Sequence, residues 1–537
     1  MIICKFFVLL NRLSRILVVR IFREKLPWFL FRNLTTILSY RNSSNQDTIV
    51  FWELGGLTEI AMKDAMLARS MEISGKKTLT IICDGTPRAC IRRGIENKQL
   101  VAEWGETCKG CTHEMETRLN RLGSSYLRTS ELISRNEIDY FENLTQKIEL
   151  KDALSFNYLG VTVGQLAFSS TVRYMKGLIC ERADISGEQE EIFRLYFFAA
   201  LINTCIAHRT CNLPNVRQGV TSHGCYSDYG PFVQTFMNSN TDVIFWESGY
   251  QKNAHYFSRA NSLDGIQLRG IDDHTFDLAH PESKEEITHK LQEYFKNRYM
   301  HGLGNDVVFQ TAEKIGSNIR SSGRSRIYLF CHISWDSVFD NNKMLFETPH
   351  QWLFETIQFA ISHIEFDWVI KIHPSEVSDS TQLKTSDFIA SKFPYLPNHI
   401  KVMSENDRTN ILSFLDEIDL AITIYGTVGL ELASFGKRVL CAGDAHYSNK
   451  GFTWDPKNKR EYFDYILSLN SASKVSEFQM DLAQKYAYLS FIRSPFYFWS
   501  DSKSRAHWSS PTMLEMLKIL FGLDKEHRRL KRWVFKE

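Results

Sequence analysis

The stretch LAITIYGTVGLELASFGKRVLCAG, residues 420–443, decides the fold. Leu420–Ile424 is apolar but for the β-branched Thr423, as suits a strand covered on both faces. Gly426-Thr427-Val428-Gly429 interrupts it, and apolar residues then return at helical spacing from Val428 to Phe435. Gly436 stops that helix, and Arg438–Cys441 reads as the next strand. Strand, turn, helix and strand in this order make a parallel β-α-β unit. A turn that opens a helix leaves N–H groups unpaired and points the positive end of the helix dipole above the strand, so phosphate is the natural guest of Gly426, Thr427 and Gly429. Glu431 falls four residues after Thr427, not three, so it completes no capping box and could accept from sugar hydroxyls. An ordinary strand-to-helix turn with a surface glutamate is the bland alternative.

Outward from this unit the same rhythm continues. Arg326–His332 and Trp368–Ile372 read as strands, and the stretches Gln351–Ile364 and Asn410–Leu415 read as helices. The second of these strands ends in WVIKIHPSE, residues 368–376, where Pro374 forbids continuation and leaves His373 at the rim. An imidazole there can donate to a phosphate oxygen, with Lys371 and Glu376 flanking it. The first half carries its own set: strands Ile49–Leu54, Thr78–Cys83, Gly219–His223 and Asp242–Trp246, with helices over Thr58–Ile73, 130–155 and 187–208.

The expected architecture is therefore α/β, with two Rossmann-like doubly wound domains facing a cleft and an N-terminal amphipathic helix. The expected divisions are a basic membrane-surface segment (1–45), an acceptor domain (46–282), a linker helical at its start (283–325), a donor domain (326–485), and C-terminal helices with a basic tail (486–537). Ligands of open parallel sheets gather at the carboxyl ends of the strands. Asp84 sits at such an end, where a carboxylate could deprotonate an acceptor hydroxyl. His223 and Glu53 are rival catalytic groups, with Glu59 and Asp228 behind them. Trp335, Asp336, Gly55 and Gly56 are expected to line the cleft.

Composition narrows the partners. The chain has 537 residues, 43% of them hydrophobic and 23% charged, which excludes a disordered or low-complexity protein. A net charge of +2 offers no chain-wide field for nucleic acid. Eleven cysteines are too few for a disulfide scaffold at this length. Cys83, Cys90, Cys108 and Cys111 cluster in sequence but match no zinc-ribbon spacing, so no metal is assigned to them. Among the first 41 residues, Lys5, Arg12, Arg15, Arg20 and Arg23 fall within an arc of about 140° on a helical wheel whose remainder is largely apolar. That suits a helix lying on an anionic inner leaflet, and the tail around Arg528, Arg529, Lys531, Arg532 and Trp533 could touch the same surface.

Taken together, KIHPSE (371–376), YGTVGLE (425–431), Gly436-Lys437 and the following Gly443, Tyr447 and Gly451 resemble bacterial capsule and surface-polysaccharide biosynthesis proteins, GT-B glycosyltransferases of the capsule Kdo-transferase-like group. Ser334-Trp-Asp336, Trp352, Glu53-Leu-Gly-Gly56, Cys83-Asp-Gly85 and His223-Gly-x-Tyr226 extend the resemblance. It implies that His373 and Thr427 hold the phosphate of a CMP- or UDP-linked sugar and that Glu431 serves the ribose. It implies further that Asp84-Gly85 is a shortened acidic-glycine motif carrying the catalytic acid or base, with Cys83 where a second acid would stand. The function so implied is transfer of a sugar to a growing surface glycan or lipid-linked acceptor, at the cytoplasmic face of the inner membrane beside other polysaccharide-assembly proteins. No D-x-D triplet occurs, so the reaction is expected to proceed without a metal and without a cofactor. A sugar-nucleotide 2-epimerase of the same architecture and a non-catalytic glycan-assembly protein are the alternatives.

Overall fold

The computed structural model describes residues 47–54, 58–92, 104–179, 181–251, 254–262, 270–278, 282–301, 323–336, 344–378, 381–407, 409–497, 518–519 and 522–535. The basic amphipathic segment 1–45 and the Gly55-Gly56 pair lie outside these residues.

Two sheets organise the chain. The first holds β1 (Thr48–Glu53), β2 (Lys77–Ile82), β3 (Tyr126–Arg128), β4 (Val216–Thr221), β5 (Asp242–Ser248) and β6 (Ala254–Ala260). The second holds β7 (Ser325–Phe330), β8 (Phe366–Lys371), β9 (Ile400–Met403), β10 (Leu420–Thr423) and β11 (Arg438–Cys441). In space the first runs β3-β2-β1-β4-β5 with all five strands parallel, and β6 is added antiparallel. The second runs β9-β8-β7-β10-β11, parallel throughout. Counted within each domain, both follow the order 3-2-1-4-5 of a doubly wound dinucleotide-binding sheet. The expected fold class is therefore met twice. Each sheet reverses its winding at one point, between β1 and β4 in the first and between β7 and β10 in the second.

Parity along a strand decides what each residue meets, because successive side chains face opposite layers. Val50, Trp52 and Leu54 enter one core layer, while Ile49 and Phe51 enter the other with Ile60, Ala65 and Met66 of the helix Thr58–Ile73. In the second sheet Ile327 and Leu329 pack on Trp352, Ile357 and Tyr462, and Tyr328 and Phe330 pack on the opposite side.

Two expectations about the ends of the domains change. The segment from 283 begins as a long helix, Lys284–His301, and Ile287, Leu291 and Phe295 join the second domain's core. Its first part is thus packed structure and not linker. The C-terminal region returns to the first domain: β12 (Phe496–Tyr497) pairs antiparallel with β6. The helix Lys525–Phe535 follows it, with Leu530 and Val534 buried and Trp533 edge-on to Phe257 at 6.1 Å. Arg529 donates to the Ser494 and Pro495 carbonyls, so this arginine of the basic tail is spent on the protein itself. Lys525, Arg528 and Arg532 stay exposed on the outer face of that helix.

Candidate functional site

The second domain's site is built from three adjacent strand ends. The register sets Phe330 beside Lys371 and Ile422 beside Leu329, so the residues that leave β7, β8 and β10 emerge at one level. With neighbouring strands about 4.8 Å apart, the ends of β8 and β10 lie about 10 Å apart, on either side of β7. His373 follows β8, Gly426-Thr427 follows β10, and His332 follows β7 between them.

The two histidines have opposite hydrogen-bonding polarity. His373 Nδ1 accepts from the Ser375 backbone N–H at 3.2 Å, which leaves its Nε2 to carry the proton and donate. His332 Nδ1 lies 2.9 Å from the Ile333 carbonyl and must donate to it, which makes its Nε2 an acceptor. Burial lowers the pKa of His332, so it stays neutral and keeps that role. Tyr425 packs edge-on against it at 4.4 Å. His332 was not among the residues singled out from sequence; its signal was its place at the end of a predicted strand, directly before Ser334-Trp-Asp336.

The glycine turn spends part of its donor set on itself. Gly426 N–H donates to Thr423 Oγ1 at 3.1 Å, and Gly429 N–H donates to the Gly426 carbonyl at 3.0 Å. The N–H groups of Thr427 and Val428, first in the helix Thr427–Ser434, have no acceptor among the described residues. Tyr447 clamps the turn from outside: wholly buried, it donates to the Gly426 carbonyl at 2.6 Å, and a Cβ at residue 429 would overlap its hydroxyl. That close approach is why residue 429 is glycine.

Two expected donor contacts are otherwise engaged. Glu376 is buried, with its carboxylate taken by the N–H and hydroxyl of Thr385, and burial raises its pKa. It fixes the start of the helix Thr385–Lys392 and does not face the rim. Glu431 is 3% exposed, and Arg298 of the helix Lys284–His301 stands 3.3 Å from it. Burial raises its pKa against the pull of Arg298. The surface glutamate of the bland alternative is therefore absent, and the carboxylate expected to serve sugar hydroxyls has Arg298 for its neighbour. Lys371 is half-buried and donates to the Asp407 carbonyl at 3.4 Å, and Pro374 ends the strand as expected.

Both ends of this site touch the first domain. Thr427 Oγ1 donates to Tyr250 Oη at 3.2 Å. Trp335 is buried in the first domain's core and donates to Thr381 at 2.9 Å, while Asp336 pairs with Arg173 and accepts from Tyr226 Oη at 3.3 Å. Burial works against the charged form of Asp336, but the Arg173 guanidinium, with the bonds it and Tyr226 donate, outweighs it and holds its pKa below the usual carboxylate range. Trp335 and Asp336 thus join the domains.

In the first domain, Glu53, Asp84 and His223 leave three neighbouring strands, yet they meet different surroundings. Glu53 shares the face of Ile49 and Phe51 and turns under the helix Thr58–Ile73. It is 2% exposed, and its oxygens meet no N–H or O–H donor among the described residues. Burial, then the neighbouring Asp64 carboxyl, raises its pKa well above normal; Asp64 itself rises to about 6 through burial, against the hydrogen bonds from Glu53 and Trp246. Two carboxyls can bond each other only through a shared proton, so this is a buried acid pair set back from the cleft. Asp84 is half-buried and accepts from the hydroxyls of Thr86 and Thr129, each at 2.6 Å, and from the N–H groups of Thr86 and Ser130, each at 3.3 Å. Burial disfavours its charge, but the bonds from Ser130, Thr129 and Thr86 prevail and lower its pKa. His223 is half-buried, with Ser222 Oγ 2.8 Å from Nδ1 and Tyr229 beneath the ring. Asp228 is 1% exposed and accepts from Ile91 N–H at 2.6 Å, a structural use. Burial and mutual repulsion raise the pKa of Cys83, whose neighbours are Cys90, Cys108 and Cys111. Among the described residues, no group of three or more His, Cys, Asp or Glu is arranged to hold a metal ion.

Two Rossmann-ordered domains, joined through their strand ends, with an anion-ready turn at the second domain's switch point, define a two-domain α/β architecture of the GT-B kind. Residues 344–497, which include the histidine-proline motif and the glycine turn, match the family described as "Capsule polysaccharide biosynthesis protein". The resemblance to capsule biosynthesis proteins is thereby met in the second domain. No curated protein matches the chain. Similar solved structures include KpsC of Thermosulfurimonas dismutans, a beta Kdo 2,4 transferase (12% identity over 57% of this chain and 88% of that one, TM-score 0.34). The UDP-GlcNAc 2-epimerase of Neisseria meningitidis bound to UDP-GlcNAc (9%, 83% and 96%, 0.25) and the glycosyltransferase SnogD of Streptomyces nogalater (11%, 84% and 96%, 0.24) are two more.

Proposed function

We propose that the protein is a glycosyltransferase of capsule or surface-polysaccharide assembly, taking a sugar from a nucleotide donor held by the second domain to a glycan or lipid-linked acceptor held by the first. The observation that supports it most is the pairing of unlike groups on one sheet edge. His373 Nε2–H and the N–H groups of Thr427 and Val428 suit phosphate oxygens, while His332 Nε2 suits a sugar or ribose hydroxyl. Donors fixed in place before charge develops on the leaving phosphate need no reorganisation, so the protein itself can stabilise that charge without a metal. Lys371 adds positive charge from the same strand.

The acceptor hydroxyl needs a base. A carboxylate already accepting four hydrogen bonds and held below its normal pKa is a poor proton acceptor, so Asp84 serves better as a fixed anion that orients the acceptor. His223, at the first domain's switch point, takes the base role in this reading. Placement at the cytoplasmic face of the inner membrane rests on the basic segment 1–45 and the exposed Lys525, Arg528 and Arg532. Among the described residues no helix is long and apolar enough to cross a membrane.

Thermal shift and calorimetry with CMP, UDP, GDP and CDP test the donor site. At least one should bind, and His373→Ala should weaken it about tenfold or more, since a hydrogen bond to a charged group contributes about 1.5–3 kcal/mol. Binding of none of the four, or equal affinity in the variant, removes the donor-site assignment.

A further inference from the structure

Tyr250 follows β5 in the first domain, yet its side chain lies in the second domain's core, edge-on to Tyr256 at 5.7 Å and to Phe491 at 5.1 Å. It is 4% exposed. Its hydroxyl accepts from Thr427 Oγ1 at 3.2 Å and stands 3.3 Å from His446 Nε2. On the far side of that imidazole, Nδ1 is 3.2 Å from Tyr486 Oη, and Tyr486 Oη also accepts from Ile271 N–H at 3.0 Å. Tyr486 in turn donates to the His446 carbonyl at 2.5 Å.

With the His446 imidazole neutral, one proton arrangement satisfies these contacts together. Thr427 donates to Tyr250, Tyr250 donates to His446 Nε2, His446 Nδ1–H donates to Tyr486, and Tyr486 donates to the carbonyl. Thr427 is therefore turned away from any anion above the glycine turn, with its single hydroxyl proton held by a residue of the other domain. Hydroxyl protons are rotors, however. If Thr427 turns its proton toward a phosphate oxygen, Tyr250 can turn its own proton from His446 to Thr427 Oγ1. Both moves are rotations about C–O bonds, and no covalent bond breaks.

We propose that Tyr250 is a positioning residue of the donor site: its hydroxyl orients the Thr427 hydroxyl, and through it phosphate binding in the second domain is coupled to a buried contact from the first. This rests on the donor-site reading above. In the bound setting the chain runs Tyr250 to Thr427 to phosphate. A hydroxyl that itself accepts a hydrogen bond is a stronger donor, and the effect is greatest when the final acceptor is charged. Coupling of this kind is reciprocal, so a bound nucleotide also strengthens the contact between the domains.

The test is a double-mutant cycle on nucleotide affinity, measured by calorimetry with CMP and UDP, with melting temperature as the control. Tyr250→Phe keeps the ring and its apolar neighbours and should weaken the nucleotide five- to tenfold. Thr427→Val should weaken it at least as much, and Tyr250→Phe combined with Thr427→Val should be no weaker than Thr427→Val alone, because Tyr250 acts only through that hydroxyl. Unchanged affinity in Tyr250→Phe, or losses that multiply in the double variant, overturns the inference while leaving the donor site standing. Unchanged affinity in Thr427→Val removes the donor-site reading and the inference with it. Thr427→Ser, which keeps the rotor, should lose less affinity than Thr427→Val; a loss matching that of Thr427→Val also overturns the proposal.

Discussion

Gly429→Ala tests whether the glycine turn is held by Tyr447 as the geometry requires. The added methyl would overlap Tyr447 Oη and come within 2.9 Å of Cζ, well inside ordinary contact. Tyr447 is wholly buried and cannot swing into solvent, so either the turn or the ring must move. Overpacking of this sort costs about 1–3 kcal/mol. Displacing the hydroxyl also breaks its bond to the Gly426 carbonyl and strands two buried polar groups, at about 1–3 kcal/mol. Alanine in place of glycine within a helix returns up to about 1 kcal/mol. Taking central values, the net destabilisation is about 3 kcal/mol. Urea unfolding followed by tryptophan fluorescence reads this directly, and calorimetry with a nucleotide that binds the wild type should show a loss of affinity, since Thr427 and Val428 move with the turn. Gly429→Ala with Tyr447→Phe should recover part of the stability, because the overlapping oxygen is gone while Cζ stays close. A single variant within about 0.5 kcal/mol of wild type, a difference typical of surface changes, refutes the argument; so does a double variant no more stable than the single one.

Three further outcomes follow from the site. His223→Ala should abolish sugar transfer with nucleotide affinity retained, whereas Asp84→Asn should lower turnover less; the reverse ranking in a radiolabelled-transfer assay returns the base role to Asp84. Glu53 and Asp64 hold protons in the folded state at pH values where the unfolded chain has released them, because both pKa values are raised. Their contribution to stability is therefore complete below about pH 4 and is lost as pH rises through about 6 and beyond. Asp64→Asn should flatten that decline in urea unfolding measured from pH 4 to 8, and an unchanged slope would count against the shared proton. Asp336→Asn weakens the Arg173 contact and should open the domains, seen as a larger radius of gyration in small-angle scattering; an identical scattering curve would show that Trp335 and the Tyr250–Thr427 contact hold the interface without that ion pair.

Much of the scaffold was readable in the chain. The helix Thr58–Ile73 and the strand Arg438–Cys441 lie where the pattern put them, and most other strands of the second sheet begin or end within a residue or two, because apolar runs bounded by glycine and proline are local signals. The helices Trp104–Leu122, Val163–Met175 and Tyr226–Asn238 were not picked out; in the latter two most residues are buried, so their periodicity is muted. The short stretch around Asn410–Leu415 forms only 3₁₀ turns, the first capped by Asn410 Oδ1, which accepts from the Leu412 N–H at 3.0 Å.

By itself the sequence determined the class of fold, the two strand-end motifs and the residue types available for chemistry, because each depends on neighbours within a few positions. Tertiary structure alone decided which of those residues reach the cleft. Glu53 faces inward because its strand lies with that parity under the helix Thr58–Ile73, and Glu431 is claimed by Arg298, a residue 133 positions earlier brought in by helix packing. The opposite polarities of His332 and His373 come from backbone partners at their own strand ends, and the bond from Thr427 to Tyr250 exists only because two domains meet. A side chain's chemistry is written in its identity; its role depends on which partners the fold leaves for it.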